Sequence, residues 1–232
     1  HVHLAADLGC HCISTGLTPV PWRLDKFPVW SLRDDKKLQK NMKAVMRDRG
    51  IAISLAEGFA VRPGVDVQSH RNDLDIMAEL GAEQVSSVCL EPDLSRAFDQ
   101  FAQLAEIVGQ RNMGFTIEFA PPHPVNDFNH ALSLIHRIND PNVRMVIDAM
   151  HFFRSGSSLD DLASINAEVI GYAQICDVPL EPISDDYYQE ACFERMCPGE
   201  GELPLLELIS ALPDDIVFGL EVPMQKQLVD NQ

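Results

Sequence analysis

The sequence predicts an α/β fold built on a parallel sheet, and three observations carry the prediction. Short strand-like runs alternate with longer runs of helical period, seven strands in all, and such alternation implies parallel strands joined by right-handed crossovers. Several strand-like runs are apolar on both faces, as a sheet covered by helices requires. No G-x-G-x-x-G follows the first strand, so a dinucleotide-binding open sheet loses support. An eight-stranded (β/α)8 barrel, a fold of about 250 residues, is the better match.

The elements follow in order. HVHLAADLG at the start reads as a helix, and His11–Leu17 as the first strand. Asp34–Arg49 is a helix with Leu38, Met42, Val45 and Met46 on one face. Gly50 closes it in a C′ position. Ile51–Glu57 is a strand, Asp66–Leu80 a helix stopped by Gly81, and Gln84–Leu90 a strand. Asp93–Asn112 is a long helix carrying Phe98, Phe101, Leu104, Ala105 and Val108. Phe115–Ala120 is a strand, Asp127–Ile138 a helix, Val143–Asp148 a strand and Leu159–Asn166 a short helix. Val169–Cys176, Leu203–Leu212 and Ile216–Val222 complete the series as strand, helix and strand. Seven strands in 232 residues lead us to expect a single barrel domain over residues 1–232 that lacks the first strand and last helix in this chain. The chain starts at His1, so the true N-terminus is expected to lie outside it. Val178–Gly201 is the one long irregular segment, and loops of that length in compact domains are often functional.

The formal net charge is −17, from 18 Lys plus Arg against 35 Asp plus Glu. A chain this acidic is a poor partner for nucleic acid or an anionic membrane, because phosphates must be met by positive charge. The apolar runs are too short and interrupted for a transmembrane helix. Six cysteines stand at 10, 12, 89, 176, 192 and 197 without zinc-ribbon spacing. They read as reduced, semi-buried side chains of a cytoplasmic protein. Cys10-His11-Cys12 alternates along a strand, which points its side chains to opposite faces.

The chemistry gathers at the C-terminal ends of the last four strands, which carry Glu118, Asp148, Gln174 and Glu221. In a barrel those ends converge on the active-site mouth. Each polar residue interrupts an apolar run, where an ionised carboxylate is costly to bury unpartnered. Three carboxylates and an amide at matching places on successive strands suggest a shared cation. The alternative use is loop capping, or pairing with Arg144, Arg154 and Arg195. An all-oxygen donor set favours Mg²⁺ or Mn²⁺, with Zn²⁺ or Co²⁺ as other candidates for the one divalent ion. With the strand ending at Asp148, His151 falls in the loop above the mouth and faces a substrate. Asp177 either orients ligands or caps its own loop. Arg195 precedes a Pro198–Gly199 tight turn and offers a forked clamp for a hydroxyl, carboxylate or phosphate. Glu57, at the end of IAISLAE, is a further inward candidate, and His123 after Pro121–Pro122 another.

At these residues the sequence resembles the xylose-isomerase-like TIM barrel superfamily of sugar isomerases and epimerases. That group also includes inosose dehydratases, hydroxypyruvate isomerases, an endonuclease IV branch and 3-dehydroshikimate dehydratases. TIEFAPP, VIDAMHFFRSG, YAQICDVP, RMCPGEGELPL and FGLEVP carry the resemblance, which runs from about Leu4 to Val222. It implies metal ligands at Glu118, Asp148, Gln174 and Glu221, and substrate contacts at His151 and Arg195. Many sugar epimerases have His where Gln174 stands, and Gln occurs in the dehydroshikimate dehydratases. The extra substrate-binding Glu of the sugar 3-epimerases has no counterpart in Ala120–Pro124, which speaks against a free-ketohexose epimerase. The charge and Gln174 speak against the histidine-rich, DNA-binding endonuclease branch.

The expected function is therefore a divalent-metal-dependent isomerase or epimerase of a small polyhydroxy carbonyl compound. It would act by proton abstraction next to a metal-bound carbonyl, with Glu118 and Glu221 as acid and base. The alternative is a dehydratase of the 3-dehydroshikimate or inosose kind, with His151 as proton carrier. A non-catalytic binding barrel is the third possibility. Specificity is expected in Thr18–Leu32, with Trp22 and Trp30, and in Val178–Glu194. A homo-oligomer fits the resemblance, though no interface segment marks it.

Overall fold

The computed structural model describes residues 1–20 and 28–224, in two compact units, His1–Thr116 and Ile117–Gln232. Trp22 lies outside the described residues. Trp30 lies within them and is exposed.

The first unit runs α1 (Val2–Asp7), β1 (Cys12–Thr15), α2 (Lys36–Arg49), β2 (Ala52–Val61), α3 (Arg71–Leu80), β3 (Gln84–Cys89) and α4 (Leu94–Gly109). β1 pairs with β2, and β2 with β3, all parallel. The helix ends sit where local chemistry puts them. Asp35 caps α2 by accepting from the backbone of Lys37 and Leu38, and Asp93 caps α4 through Ser95 and Arg96. Gly50 takes the left-handed conformation that ends α2. The apolar face of α4 buries Phe101, Leu104, Ala105 and Val108, each large side chain contributing about 1.5–3 kcal/mol. A 3-10 turn at Val67–His70 opens α3, shortening the helix expected from Asp66.

One strand differs in a way that matters. β2 continues to Val61, so Glu57 is not at its end. The register to β3 shifts between Ala56 and Phe59, and Gly58 there has φ +91°. This left-handed residue forms a bulge, and the apolar Phe59–Val61 run resumes pairing beyond it. Glu57 is half-buried beside that bulge.

The strand β4 (Gly114–Glu118) carries the chain from the first unit into the second. There follow α5 (Phe128–Ile138), β5 (Val143–Asp148), α6 (Ala149–Arg154), α7 (Leu159–Ala163), β6 (Ile170–Ile175), α8 (Tyr187–Phe193), α9 (Leu205–Ala211) and β7 (Phe218–Leu220). β5 pairs with β6, and β6 with β7, again parallel. Every residue of β6 is buried, as a strand covered on both faces must be. Gly219 is needed where it stands, because a Cβ there would lie 2.9 Å from the hydroxyl of the buried Tyr172.

Two expectations are corrected here. The Val178–Gly201 segment is not wholly irregular, because α8 lies inside it. Asp186 starts that helix by accepting from the backbone of Tyr188 and Gln189. His151 is not in a loop: the strand ends at Asp148 as expected, but the chain turns directly into α6. Among the described residues, all six cysteines are free, and no helix is long and apolar enough to cross a membrane.

Candidate active site

All of the residues in this site belong to the second unit. Asp148 is the last residue of β5 and stands in register with Gln174 near the end of β6, so the two side chains leave the same face of adjacent strands. Gln174 is in turn opposite Gly219 of β7. Glu221 follows β7 directly, its backbone N–H donating to Ile175 O at 3.2 Å. Glu118 ends β4. Asp148 and Gln174 are almost fully buried.

Asp148 has two tasks. Its Oδ1 accepts the backbone N–H of His151 at 2.8 Å and so caps α6. Its Oδ2 accepts from Arg195 Nη1 at 2.6 Å. Arg195 is buried and is held further by Nε donating to Ala191 O at 2.9 Å. Its Nη1 lies 3.6 Å from Glu221 Oε2 and 3.4 Å from Cys176 Sγ. The capping and arginine pairing that the sequence offered as an alternative use are thus both present at Asp148. The guanidinium expected as a substrate clamp is engaged with the carboxylates.

The electrostatics follow from this packing. Burial raises the Asp148 carboxyl, but Arg195, His151 and the helix-cap hydrogen bond outweigh it and hold it below the usual carboxylate range. Glu221 is raised, by burial first and then by the Asp148 charge, with Arg195 opposing. Cys176 is pushed up to about 12 by burial and by Asp148, so it stays a thiol.

His151 is buried at the first turn of α6. Its Nδ1 lies 2.5 Å from the Tyr187 hydroxyl and 3.7 Å from Asp148 Oδ1. Its Nε2 lies 3.6 Å from Glu118 Oε1. Burial lowers its pKa to about 4, against the pull of Asp148, so the imidazole is neutral at pH 7. Burial and Asp148 push the Tyr187 phenol well up, which keeps its proton on oxygen.

Asp177 caps its own loop. Its Oδ1 accepts from Val178 and Leu203 backbone N–H, and its Oδ2 from Gly199. A Cβ on Gly201 would collide with Asp177 Oδ1. Gly199 has φ +90° and Glu200 N–H returns to Cys197 O, which is the tight turn read from Pro198–Gly199. His123 packs its ring 6.2 Å from that of Tyr188. Its Nδ1 is buried without a hydrogen-bond partner, and burial lowers its pKa. Glu57 belongs to the first unit.

Sequence reasoning missed Tyr187 and the buried Arg154–Glu190 pair at 2.7 Å. A signal was available. Asp186-Tyr-Tyr-Gln189 has the spacing of a helix start, and a helix there would have placed Tyr187 and Glu190 on one face.

Among the described residues, no three His, Cys, Asp or Glu side chains stand close enough together to hold an ion as they are placed. The donor chemistry nevertheless fits a divalent cation. The four strand-end side chains offer hard oxygens, and Glu221 Oε2 is turned inward and accepts no hydrogen bond. The positive charge that Asp148 and Glu221 gather around is supplied by Arg195.

Comparison with known proteins places this site in a family. The model of the xylose isomerase-like TIM barrel family matches residues 2–231, and the chain belongs to that family. The α/β barrel class expected from the sequence is the class of this family. An inosose isomerase of Bacillus licheniformis is 31% identical over 114 residues, which are 48% of this chain and 40% of the relative. A 3-dehydroshikimate dehydratase of Pseudomonas aeruginosa is 26% identical over 207 residues, 83% of this chain and 32% of the relative. The matches thus span only about a third to two fifths of these relatives' length. A crystal structure of IolI protein with a bound zinc atom superposes with a TM-score of 0.78 at 20% identity, over 97% of this chain and 84% of the other.

Proposed function

We propose that this chain is a divalent-cation-dependent isomerase or epimerase of a small polyhydroxy carbonyl compound. The observation that carries the proposal is the register of Asp148 with Gln174, flanked by Glu221, beside a buried neutral imidazole that faces Glu118. Glu118, Asp148, Gln174 and Glu221 would hold the cation. When bound, it supplies Lewis-acid stabilisation of the charge that develops on a carbonyl oxygen. Mg²⁺ and Mn²⁺ suit the all-oxygen donors. The zinc of the IolI structure makes Zn²⁺ the necessary comparison, with Co²⁺ beside it.

The chain's own residues do the rest. Glu118 and Glu221 move the proton between neighbouring carbons, or between faces of one carbon. Glu221 suits this role because burial, and after it the neighbouring Asp148, raises it above an ordinary carboxylate. Arg195 keeps Asp148 charged and offers its remaining N–H groups to substrate oxygens. Glu57 remains a proposed substrate contact.

One observation favours a second reading, a dehydratase of the 3-dehydroshikimate or inosose kind. His151 is neutral, bonded to a phenol at Nδ1 and 3.6 Å from Glu118 Oε1 at Nε2, which equips it to pass to a departing hydroxyl the proton that Glu118 takes from the neighbouring carbon. The alignment to a 3-dehydroshikimate dehydratase over 83% of the chain supports the same reading.

The test loads purified protein with Mn²⁺, Mg²⁺ or Zn²⁺ and incubates it in D₂O with inososes, small ketoses and 3-dehydroshikimate. Isomerase or epimerase activity gives a rearranged product, with deuterium entering at the exchanged carbon unless the proton transfer is shielded. Dehydratase activity on 3-dehydroshikimate gives an aromatic product visible by its ultraviolet absorbance. Failure to take up any of these cations after chelation overturns both readings and leaves a binding barrel.

A further inference from the structure

We infer that Tyr187 is the positioning residue for His151, fixing the ring as the tautomer that carries its proton on Nε2. The inference rests on His151 being the proton carrier of the dehydratase reading, and adds the group that decides which nitrogen holds the proton.

In a neutral imidazole, the nitrogen that carries hydrogen is set by the bond the other nitrogen makes. The Tyr187 hydroxyl is 2.5 Å from Nδ1, with the two rings 5.7 Å apart and tilted by 32°. A phenol donating there needs a lone pair on Nδ1, which leaves the hydrogen on Nε2. At the other edge of the ring, Nε2 faces Glu118 Oε1 at 3.6 Å. A carboxylate oxygen attracts an N–H and repels a nitrogen lone pair. Asp148 Oδ1, 3.7 Å from Nδ1, pulls the other way, but it already accepts the His151 backbone N–H at 2.8 Å, so the much shorter phenol contact decides the Nδ1 edge and agrees with the Glu118 edge.

The position of the phenol is itself determined. Arg154 lies three residues after His151 on α6, and Glu190 three residues after Tyr187 on α8. Residues three apart are neighbours on one helix face, so the two helices are tied at two places one turn apart. The second tie is bidentate, with Arg154 Nη2 to Glu190 Oε1 at 2.7 Å and Nε to Oε2 at 3.0 Å. Arg154 also donates to Leu180 O and Pro179 O, each at 2.7 Å. Two more of its five N–H groups are thereby used on the segment that leads into α8. The backbone of His151 is fixed independently by the Asp148 cap. With both backbones held, the ring is left one hydrogen-bonded orientation.

The test is ¹⁵N NMR of the full chain with labelled histidine, stripped of bound cation, with His151→Gln identifying the signals. In the wild type, Nδ1 of His151 should resonate as an unprotonated ring nitrogen and Nε2 as a protonated one. Tyr187→Phe keeps the ring and removes the hydroxyl. The His151 signals should then move toward a mixture of tautomers, and kcat of the loaded protein should fall roughly ten- to a hundredfold with KM little changed. A wild-type spectrum showing the Nδ1–H tautomer overturns the inference without any variant. So does an unchanged tautomer in Tyr187→Phe. A shifted tautomer with unchanged turnover upholds Tyr187 as the group that sets the ring, and overturns His151 as the proton carrier.

Discussion

The two units use ion pairs differently. In the first, Arg33–Asp73 has side chains 48% and 18% accessible, Arg111–Asp75 leaves its carboxylate half exposed, and Arg96–Glu91 buries its carboxylate but leaves the arginine 33% accessible. In the second, Arg154–Glu190 and Arg195–Asp148 have all four side chains no more than 7% accessible. Exposed pairs gain little, because water screens them and the side chains lose freedom. Buried pairs give up hydration that their attraction does not always restore. A unit that keeps two such pairs a few residues from its strand-end carboxylates is retaining charge where an apolar core would be no less stable. That is the expected signature of a site whose charges serve chemistry.

The comparison is broken most severely at Glu221. Under the proposed function, Glu221→Gln removes both a ligand and a proton carrier and should cost well over ~10²-fold in kcat, more than loss of an outer partner does. Near-normal turnover would refute the assigned site. Next in size is Arg154→Met, which strands Glu190 in the interior. Breaking a buried pair from one side costs about 3–5 kcal/mol, read as a lower midpoint in urea. The double variant Arg154→Met with Glu190→Leu should recover much of that stability while losing activity. If it recovers activity as well, the pair has no part in holding Tyr187 over His151.

How far the sequence alone reached divides along similar lines. The strands and long helices of both units were legible because hydrophobic period and acidic N-caps are local signals: Asp35, Asp93 and Asp127 each start a helix beside the predicted position. The strand-end quartet was legible because each polar residue broke an apolar run. The extension of β2 past Glu57 was not, because a glycine bulge leaves no trace in alternation. Nor was α8, whose seven residues are too few for a clear apolar period. Its partnership with His151 and Arg154 joins residues 36 apart in sequence, and spacing rules read only local neighbours. For the same reason the sequence offered Arg195 only as one of three arginines that could pair with the quartet, and did not single out its burial against Asp148.

A pH experiment sharpens the contrast at intermediate size. In the cation-free protein the folded His151 titrates near 4, below its ordinary value of 6.5. Between those values the unfolded chain binds a proton that the folded chain refuses. Stability is therefore fully present above about 6.5 and falls toward pH 4, by at most ~1.4 kcal/mol per pH unit. His151→Gln should flatten that part of the profile relative to wild type, measured by urea denaturation. Parallel profiles would mean that the imidazole is not held neutral. Gly201→Ala comes next. Its new methyl meets Asp177 Oδ1, and the overpacking should cost about 1–3 kcal/mol.

The smallest effect is the control that gives the comparison its meaning. Arg33 and Asp73 form a two-point contact at 2.8 and 2.6 Å, a geometry as good as that of Arg154 with Glu190. If geometry decided the value of a pair, Arg33→Met would cost as much as Arg154→Met. If burial decides it, Arg33→Met should cost no more than ~1 kcal/mol, and the loss should shrink further in high salt as screening replaces the partner. The Arg154 variant should keep its larger loss at every salt concentration, because ions do not reach a pair so little exposed. Equal losses in the two variants, or equal salt dependence, would remove burial as the distinction between the units and with it the argument that the second unit's charges are kept for function.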